Sequence, residues 1–594
     1  MNSFTLKKTA PYQYITMERE ESAHADIIRR CTVENLQRAL EANGITNAEV
    51  VWAEVRSGKN LNPEHPLLKN LPPFPFHNEL LEQIPEFCDV LIHETTPGHV
   101  ADVSVWAPLD WNGRFLGCGG GGIQTVNDIR LFESTRSDTI ACAVRNGFAS
   151  ACTDGGNKDP RMLSWGLDEV TGELDWEMVL NWSHRSIHSM TVIGKIITEA
   201  LYGQGPAYSY YQGASGGGRM GLVEAQKYPE DYDGVWCDAP ATNHARFQMA
   251  GCWPMYVMNW RQNFLSTAKL NAFRTAILEQ YACGDGYLDS TDPVPFDPFT
   301  AVGRETEDGP ITELDAETMK EIFDGPHTRS GERLFYSFWP GTYTWDPSGL
   351  GLINYIPAED GHMEPFCFMV PEGYVSTWVA QDAKWDWKAM TREEYEELFW
   401  LSQWKFKDVI EGERSDFSAF RDRGGKLMLS HCANDPLVFP GGTIDLYHRV
   451  TQRMGGEEST LPFLRFFLTP DGNHCGNDSL GITMADGMIA LMNWVEGGKA
   501  PETLPIERYD ITTMPNTLTL RKEGRLYRLS GHPDNRYALP PIYDTDDTPL
   551  ERKRFIRHLM YRKKTDPAAA SHVDENAGAS AKRLTSNPLF GSGQ

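Results

Sequence analysis

Tyr211-Gln-Gly-Ala-Ser-Gly-Gly-Gly-Arg-Met220 decides the reading of this chain. It holds Gly213-Ala-Ser215-Gly-Gly217, a G-x-S-x-G match. Small residues two before and two after the serine let a strand turn sharply into a helix, so that Ser215 projects from the sheet's C-terminal edge. Ala207–Gln212 before it is aromatic and strand-like, and Gly218–Lys227 after it has a helical pattern stopped by Pro229. In that context Ser215 is the predicted nucleophile. The amide of Gly216, at the positive end of the following helix, is a predicted oxyanion donor. The same glycines also fit a dinucleotide fingerprint, Gly216-Gly-Gly218-Arg-Met-Gly221 with Asp238 about twenty residues on. That alternative gives Ser215 no role.

Working outward, short apolar runs alternate with helical stretches. Val100–Ala107, Arg114–Cys118, Gly147–Thr153 and Gly234–Asp238 read as strands, and Trp182–Tyr202 as a long helix. The alternation implies an α/β domain with a mostly parallel central sheet. It stops between about 241 and 404, where aromatics, Gly and Pro crowd together, and resumes with strands at Gly425–Ser430 and Phe463–Leu468 and helices at Gly441–Met454 and Gly481–Val495. The expected organisation is an N-terminal cap segment over 1–90, the first part of the core over 91–240, a large inserted lid over 241–404, the second part of the core over 405–505, and a polar, partly disordered extension over 506–594.

A serine nucleophile needs a downstream acid and then a histidine, each on a loop after a strand. The strand Lys426–Ser430 runs into His431-Cys-Ala-Asn-Asp435-Pro436, and the strand Phe463–Leu468 into Thr469-Pro-Asp471-Gly-Asn-His474-Cys475. Asp435 is the predicted acid and His474 the predicted base, with Asp471 and His431 as the competing choices. The run Gly119–Gly122, after Trp111-Asn-Gly-Arg-Phe115, fits the second half of an oxyanion hole, with Gly120 and Gly121 as donors. No Gly-Lys-Ser/Thr follows it, so it is not a phosphate loop.

Composition narrows the function classes. The chain has 594 residues and a formal net charge of −27, a field that repels phosphate backbones and anionic membrane surfaces. No run of about 18 apolar residues is present. Nucleic-acid and membrane partners are therefore not expected. The eleven cysteines are an odd number without a CxxC pair, which reads as free thiols in a reducing compartment. The N-terminal stretch lacks a secretory pattern, so a cytoplasmic protein is expected, with a secreted mature form as the alternative.

Taken together, these segments resemble the tannase and feruloyl esterase family of α/β-hydrolases. The likeness also runs through Phe148-Ala-Ser-Ala-Cys-Thr-Asp-Gly-Gly156, His188–Lys195, Glu224-Ala-Gln-Lys-Tyr-Pro-Glu-Asp-Tyr-Asp-Gly234 and Asp238-Ala-Pro-Ala241. The resemblance implies an α/β-hydrolase fold with an inserted lid. It implies a serine esterase acting on small-molecule esters of aromatic acids, through Ser215, Asp435 and His474 and without a required cofactor. Family members typically pair a cysteine before the serine with one after the histidine. Here Cys475 is present but position 214 is alanine, so that disulfide cannot form. The lid's calcium loop in the family corresponds to Cys283-Gly-Asp-Gly-Tyr-Leu-Asp-Ser-Thr-Asp292, where Asp285 and Asp289 are candidate calcium ligands. The lid aromatics, among them Trp253, Trp260, Phe335, Tyr336 and Phe338 and above all Trp339, Tyr343 and Trp345, are candidates for a flat aromatic slot. Arg219 is expected to anchor the helix after the serine. An acyltransferase, or a lactone- or C–C-cleaving hydrolase, would share the same triad. A homodimer is possible.

Overall fold

The structure, a computed structural model, describes residues 4–538 apart from 11–12, 18–20, 70–81, 123–138, 158–165, 169, 345–350, 359–360, 383–384, 411, 477–482 and 511–516. Nine strands form the central sheet: β1 (Ala48–Arg56), β2 (Phe87–Thr96), β3 (His99–Pro108), β4 (Arg114–Cys118), β5 (Ala149–Thr153), β6 (Tyr208–Ala214), β7 (Gly234–Asp238), β8 (Lys426–Cys432) and β9 (Leu464–Thr469). Across the sheet the order is β9-β8-β7-β6-β4-β5-β3-β2-β1. The six strands from β9 to β5 run parallel, and β3, β2 and β1 add on antiparallel. This is the α/β-hydrolase fold expected from the sequence. All five residues of β4 and of β5 are buried, as a parallel sheet covered on both faces requires.

The sheet is covered by α1 (Ser186–Tyr202), α2 (Gly216–Lys227), α3 (Pro440–Arg453) and α4 (Gly487–Gly497). Helix α1 ends on Gly203, whose φ of 74° places it in the left-handed cap conformation. It lies so close to the sheet that a Cβ on Gly194 would come within 2.8 Å of Phe115 on β4 and 2.9 Å of Ala151 on β5. The long helix read over Trp182–Tyr202 begins with a π-helical turn at Asn181–Arg185.

Two boundaries differ from the sequence reading. Residues 1–90 are not only a cap, because β1 and the start of β2 complete the sheet's antiparallel edge. In the C-terminal extension, Thr503–Asp510 and Thr517–Arg525 pair antiparallel, and Tyr527 donates its N–H to Phe466 on β9. The part of the extension expected to be disordered, 564–594, lies outside the described residues. The insertion is more regular than expected. It contains the helices His244–Gly251, Trp253–Trp260, Thr267–Tyr281, Glu313–Asp324 and Arg392–Ile410 and the hairpin Ile353–Pro357/Met363–Cys367, closed around its own apolar core. Among the described residues no helix is long and apolar enough to cross a membrane.

Arg219 fastens this insertion to the sheet. It is fully buried on α2 and donates to the carbonyls of Trp182 (3.1 Å), Ser183 (2.9 Å) and Ile410 (3.0 Å), with its guanidinium 4.2 Å from the Trp182 ring. It therefore ties three segments together. Arg219→Met removes that shared buried donor from all three carbonyls. The expected loss is about 3 kcal/mol of unfolding free energy, read from urea midpoints with the slope unchanged.

Candidate active site

Three strand ends deliver the predicted triad. Strand β6 ends at Ala214, and Ser215 follows with φ 59° and ψ −118°, a strained conformation for a side chain with a Cβ. Two hydrogen bonds hold the turn: Ser215 N–H to the Asp238 carbonyl at the end of β7 (2.8 Å), and Ala241 N–H to the Ser215 carbonyl (3.0 Å). Its neighbours from Tyr211 to Gly218 are buried, and Ser215 itself keeps intermediate exposure. The side chain is thus presented at an accessible point of a closed framework.

The loop after β8 carries Asp435. Its Oδ1 accepts the N–H groups of Leu437 (2.8 Å) and Val438 (2.9 Å), and its Oδ2 meets His474 Nδ1 at 2.7 Å. Burial alone would push this carboxyl up. The imidazoles of His474 and His431 beside it outweigh that and hold it well below the usual carboxylate range. The carboxylate is thus ionised and fixes which nitrogen of His474 carries the proton.

The competing choices are occupied elsewhere. His431 is fully buried, with Nδ1 on Thr443 Oγ1 (2.8 Å) and Nε2 on the Val438 carbonyl (2.9 Å), so both ring nitrogens are engaged. Asp471 is paired with Arg274 (3.1 Å) and accepts Leu288 N–H (3.2 Å). Both serve the loops that carry the pair Asp435–His474.

The sequence analysis missed what the thiol of Cys475 does. Its Sγ lies 3.2 Å from His474 Nε2, the nitrogen left free by Asp435. Cys475 has φ 53° and joins Ala214 and Ala239 in a small buried cluster beneath the serine turn. Packing thus joins the two loops where a disulfide cannot. Cys475 was visible in the sequence beside an alanine at 214, but its reach to the imidazole depends on a backbone twist that no motif encodes.

The glycine run packs directly on the serine turn. Ideal Cβ positions on Gly217 and Gly216 fall 2.5 Å from the Gly120 carbonyl oxygen and 2.8 Å from that of Gly122, and Gly119 N–H donates to Gln212 at 3.1 Å. Gly216, Gly120 and Gly121 are therefore brought to one place, and glycine at 217 is required by contact. Gly217→Ala pushes the loop off the turn. The expected result is a fall in kcat of about 10²–10³, the cost of misplacing one oxyanion donor, with a smaller change in KM. Steady-state kinetics on a variant with a wild-type circular dichroism spectrum checks it.

The remaining candidates are scattered. Trp339 is buried and stacks on Tyr537 with centroids 6.1 Å apart. Tyr343 lies 3.4 Å beneath the Arg274 guanidinium, and Trp345 is outside the described residues. Trp253, Phe335, Tyr336 and Phe338 are buried in the insertion's own core, and Trp260 packs against it. Asp285 is exposed and its carboxylate pairs with Lys522, while Asp289 is exposed. Among the described residues these two carboxylates are not drawn together with a third acid, imidazole or thiol. Among the described residues the acid, imidazole and thiol groups that converge are Cys252/Cys367/Glu372 and His188/Glu224/Asp231.

Comparison with known proteins places the chain in a family and agrees with the fold. The family model described as "Tannase and feruloyl esterase" matches residues 88–535. A probable feruloyl esterase of Arthroderma benhamiae is 35% identical over 462 residues, 75% of this chain and 80% of its own length. Feruloyl esterase B of Aspergillus niger is 28% identical over 420 residues, 67% of this chain and 75% of its own. Among solved structures, an esterase from Aspergillus oryzae superposes with a TM-score of 0.67 at 23% identity, covering 84% of this chain and 96% of its own. Tannin acyl hydrolase from Aspergillus niger does so with 0.68 at 20%, covering 84% and 92%. At these identities the structural likeness shows the fold.

Proposed function

The chain belongs to the tannase and feruloyl esterase family and is a carboxylic ester hydrolase, and on that premise we propose that it cleaves an ester of a phenolic acid through an acyl-enzyme on Ser215. The observation that carries this reading is the Asp435–His474 pair, set by two strand ends beside a strained, partly exposed serine. His474 Nε2, the nitrogen that Asp435 does not hold, takes the proton of the Ser215 hydroxyl. Ser215 Oγ attacks the ester carbonyl. The amides of Gly216 and the Gly120–Gly121 segment stabilise the oxyanion. His474 returns the proton to the departing alcohol, and water, activated by the same nitrogen, releases the acid. The sequence of steps needs no redox cofactor. A phenolic acyl group is supported by the names of the relatives. Eleven cysteines, an odd number without a CxxC pair, support a reducing compartment.

The test is a panel of methyl esters of hydroxycinnamic, hydroxybenzoic and straight-chain acids, with products analysed with and without an acceptor alcohol. The reading expects higher kcat/KM for the phenolic esters and free acid as the product. Preference for straight-chain acids, or transfer to the alcohol in place of hydrolysis, overturns it.

A further inference from the structure

Inside the insertion, three potential metal ligands from separate elements meet. Cys252 is the residue before the helix Trp253–Trp260, Cys367 ends the second hairpin strand, and Glu372 lies in the short helix Met369–Gly373. Both thiols are buried, and Glu372 has intermediate exposure. The two sulfurs and a Glu372 oxygen all lie within 4.8 Å of one another, and Cys252 Sγ is 3.7 Å from Glu372 Oε2. A tetrahedral zinc ion, with its ordinary bond lengths to sulfur and carboxylate oxygen, spaces such ligand atoms about 3.6–3.8 Å apart. The Cys252–Glu372 spacing is already that of a loaded site.

We propose that Cys252, Cys367 and Glu372 bind one thiophilic divalent cation, zinc, as a structural clamp in the inserted region. Two thiolates select against calcium and magnesium, which take oxygen cages. The carboxylate is aimed by neutral donors: Tyr256 Oη gives its proton to Oε2 (3.1 Å) and Trp385 Nε1 gives its own to Oε1. Such second contacts fix the orientation of a metal ligand without competing for it as a cation does. Water fills the fourth position, on the side where Glu372 is accessible. Binding takes the proton from each thiol, and from any protonated carboxyl, to solvent, leaving the site with a net charge of about −1. No oxidation state changes.

The clamp has a mechanical consequence. It joins the helix Trp253–Trp260 to the hairpin and to Met369–Gly373. Val370 in that last element lies 3.5 Å from where a Gly122 Cβ would stand, and Pro371 lies 2.9 Å from that of Gly251. The element that holds Glu372 therefore abuts the glycine run. This inference goes beyond the esterase reading, and neither depends on the other.

The full chain, purified under reducing conditions, stripped with a chelator and dialysed against zinc, is expected to retain about one equivalent per chain by elemental analysis. Loaded instead with Co²⁺, it is expected to show a thiolate-to-cobalt charge-transfer band and the intense visible bands of a tetrahedral site. Cys252→Ser and Cys367→Ser, each verified as folded by circular dichroism, lose the band and bind zinc more than about tenfold more weakly. Absence of bound zinc in the wild-type chain overturns the proposal. So does cobalt bound without the charge-transfer band, metal retained by the Cys252→Ser/Cys367→Ser double variant, or a Cys252–Cys367 disulfide under the same reducing conditions. The cobalt spectrum of the wild-type chain decides the matter even if both serine variants fail to fold.

Discussion

Ser215→Ala lowers kcat for a phenolic ester by about 10⁵–10⁶ and leaves substrate affinity within a fewfold of wild type. The size follows from the role. Without Oγ there is no acyl-enzyme, and the groups left behind, the glycine amides and the binding surface, supply only the residual acceleration that an oxyanion hole gives on its own. The hydrogen bonds that hold the turn use the backbone N–H and carbonyl of Ser215, which alanine keeps. Alanine carries a Cβ as serine does, so the strain at φ 59° is unchanged. The loss is therefore expected to be confined to kcat, with the unfolding midpoint shifted little. A variant retaining more than a tenth of wild-type activity would remove Ser215 from the chemistry.

The second large effect is Asp435→Asn, expected to cut kcat by about 10⁴. The amide keeps the shape but presents His474 Nδ1 with a donor or a neutral acceptor, so the ring is no longer held with its proton on Nδ1 and Nε2 open. The imidazolium that forms during attack also loses its counter-charge. The substitution has a pH signature in stability as well. The folded carboxyl of Asp435 is held below its ordinary value of about 3.9. Its contribution is then fully present above that value and is lost as pH falls through the depressed folded value. The variant lacks this group, so its stability falls less steeply with acid than the wild type's does. Equilibrium unfolding followed from neutral pH into the acid range checks the sign.

Much of the core was legible in the sequence because local and tertiary signals agree there. Arg114–Cys118 and Gly234–Asp238 are short apolar runs bounded by turn residues, and each forms a strand with those bounds. Gly213–Gly217 encodes a turn that few other residue sets permit, and the loops with Asp435 and His474 follow their strands directly. Other parts carried weaker signals. In β1, exposed and buried positions alternate only over Ala48–Val51 before a register shift, so the edge strand looked like cap sequence. In the insertion, aromatic content does not distinguish a slot from a core. Trp339 went to a stack on Tyr537, and Trp253 and Tyr336 to buried packing. The ion-pair partner of Asp285, Lys522, is more than two hundred residues away in the chain, beyond the reach of any local signal. The contact between Cys475 and His474 was likewise a product of backbone twist and remote packing.

The central claim is that Ser215, His474 and Asp435 form one reactive unit, and covalent labelling tests it most directly. The folded protein is incubated with a fluorophosphonate and the adduct is mapped by mass spectrometry. A single adduct on Ser215, absent in Ser215→Ala and strongly slowed in His474→Ala, is the predicted result. An adduct on another residue, or labelling of Ser215 at the same rate in His474→Ala, would contradict it.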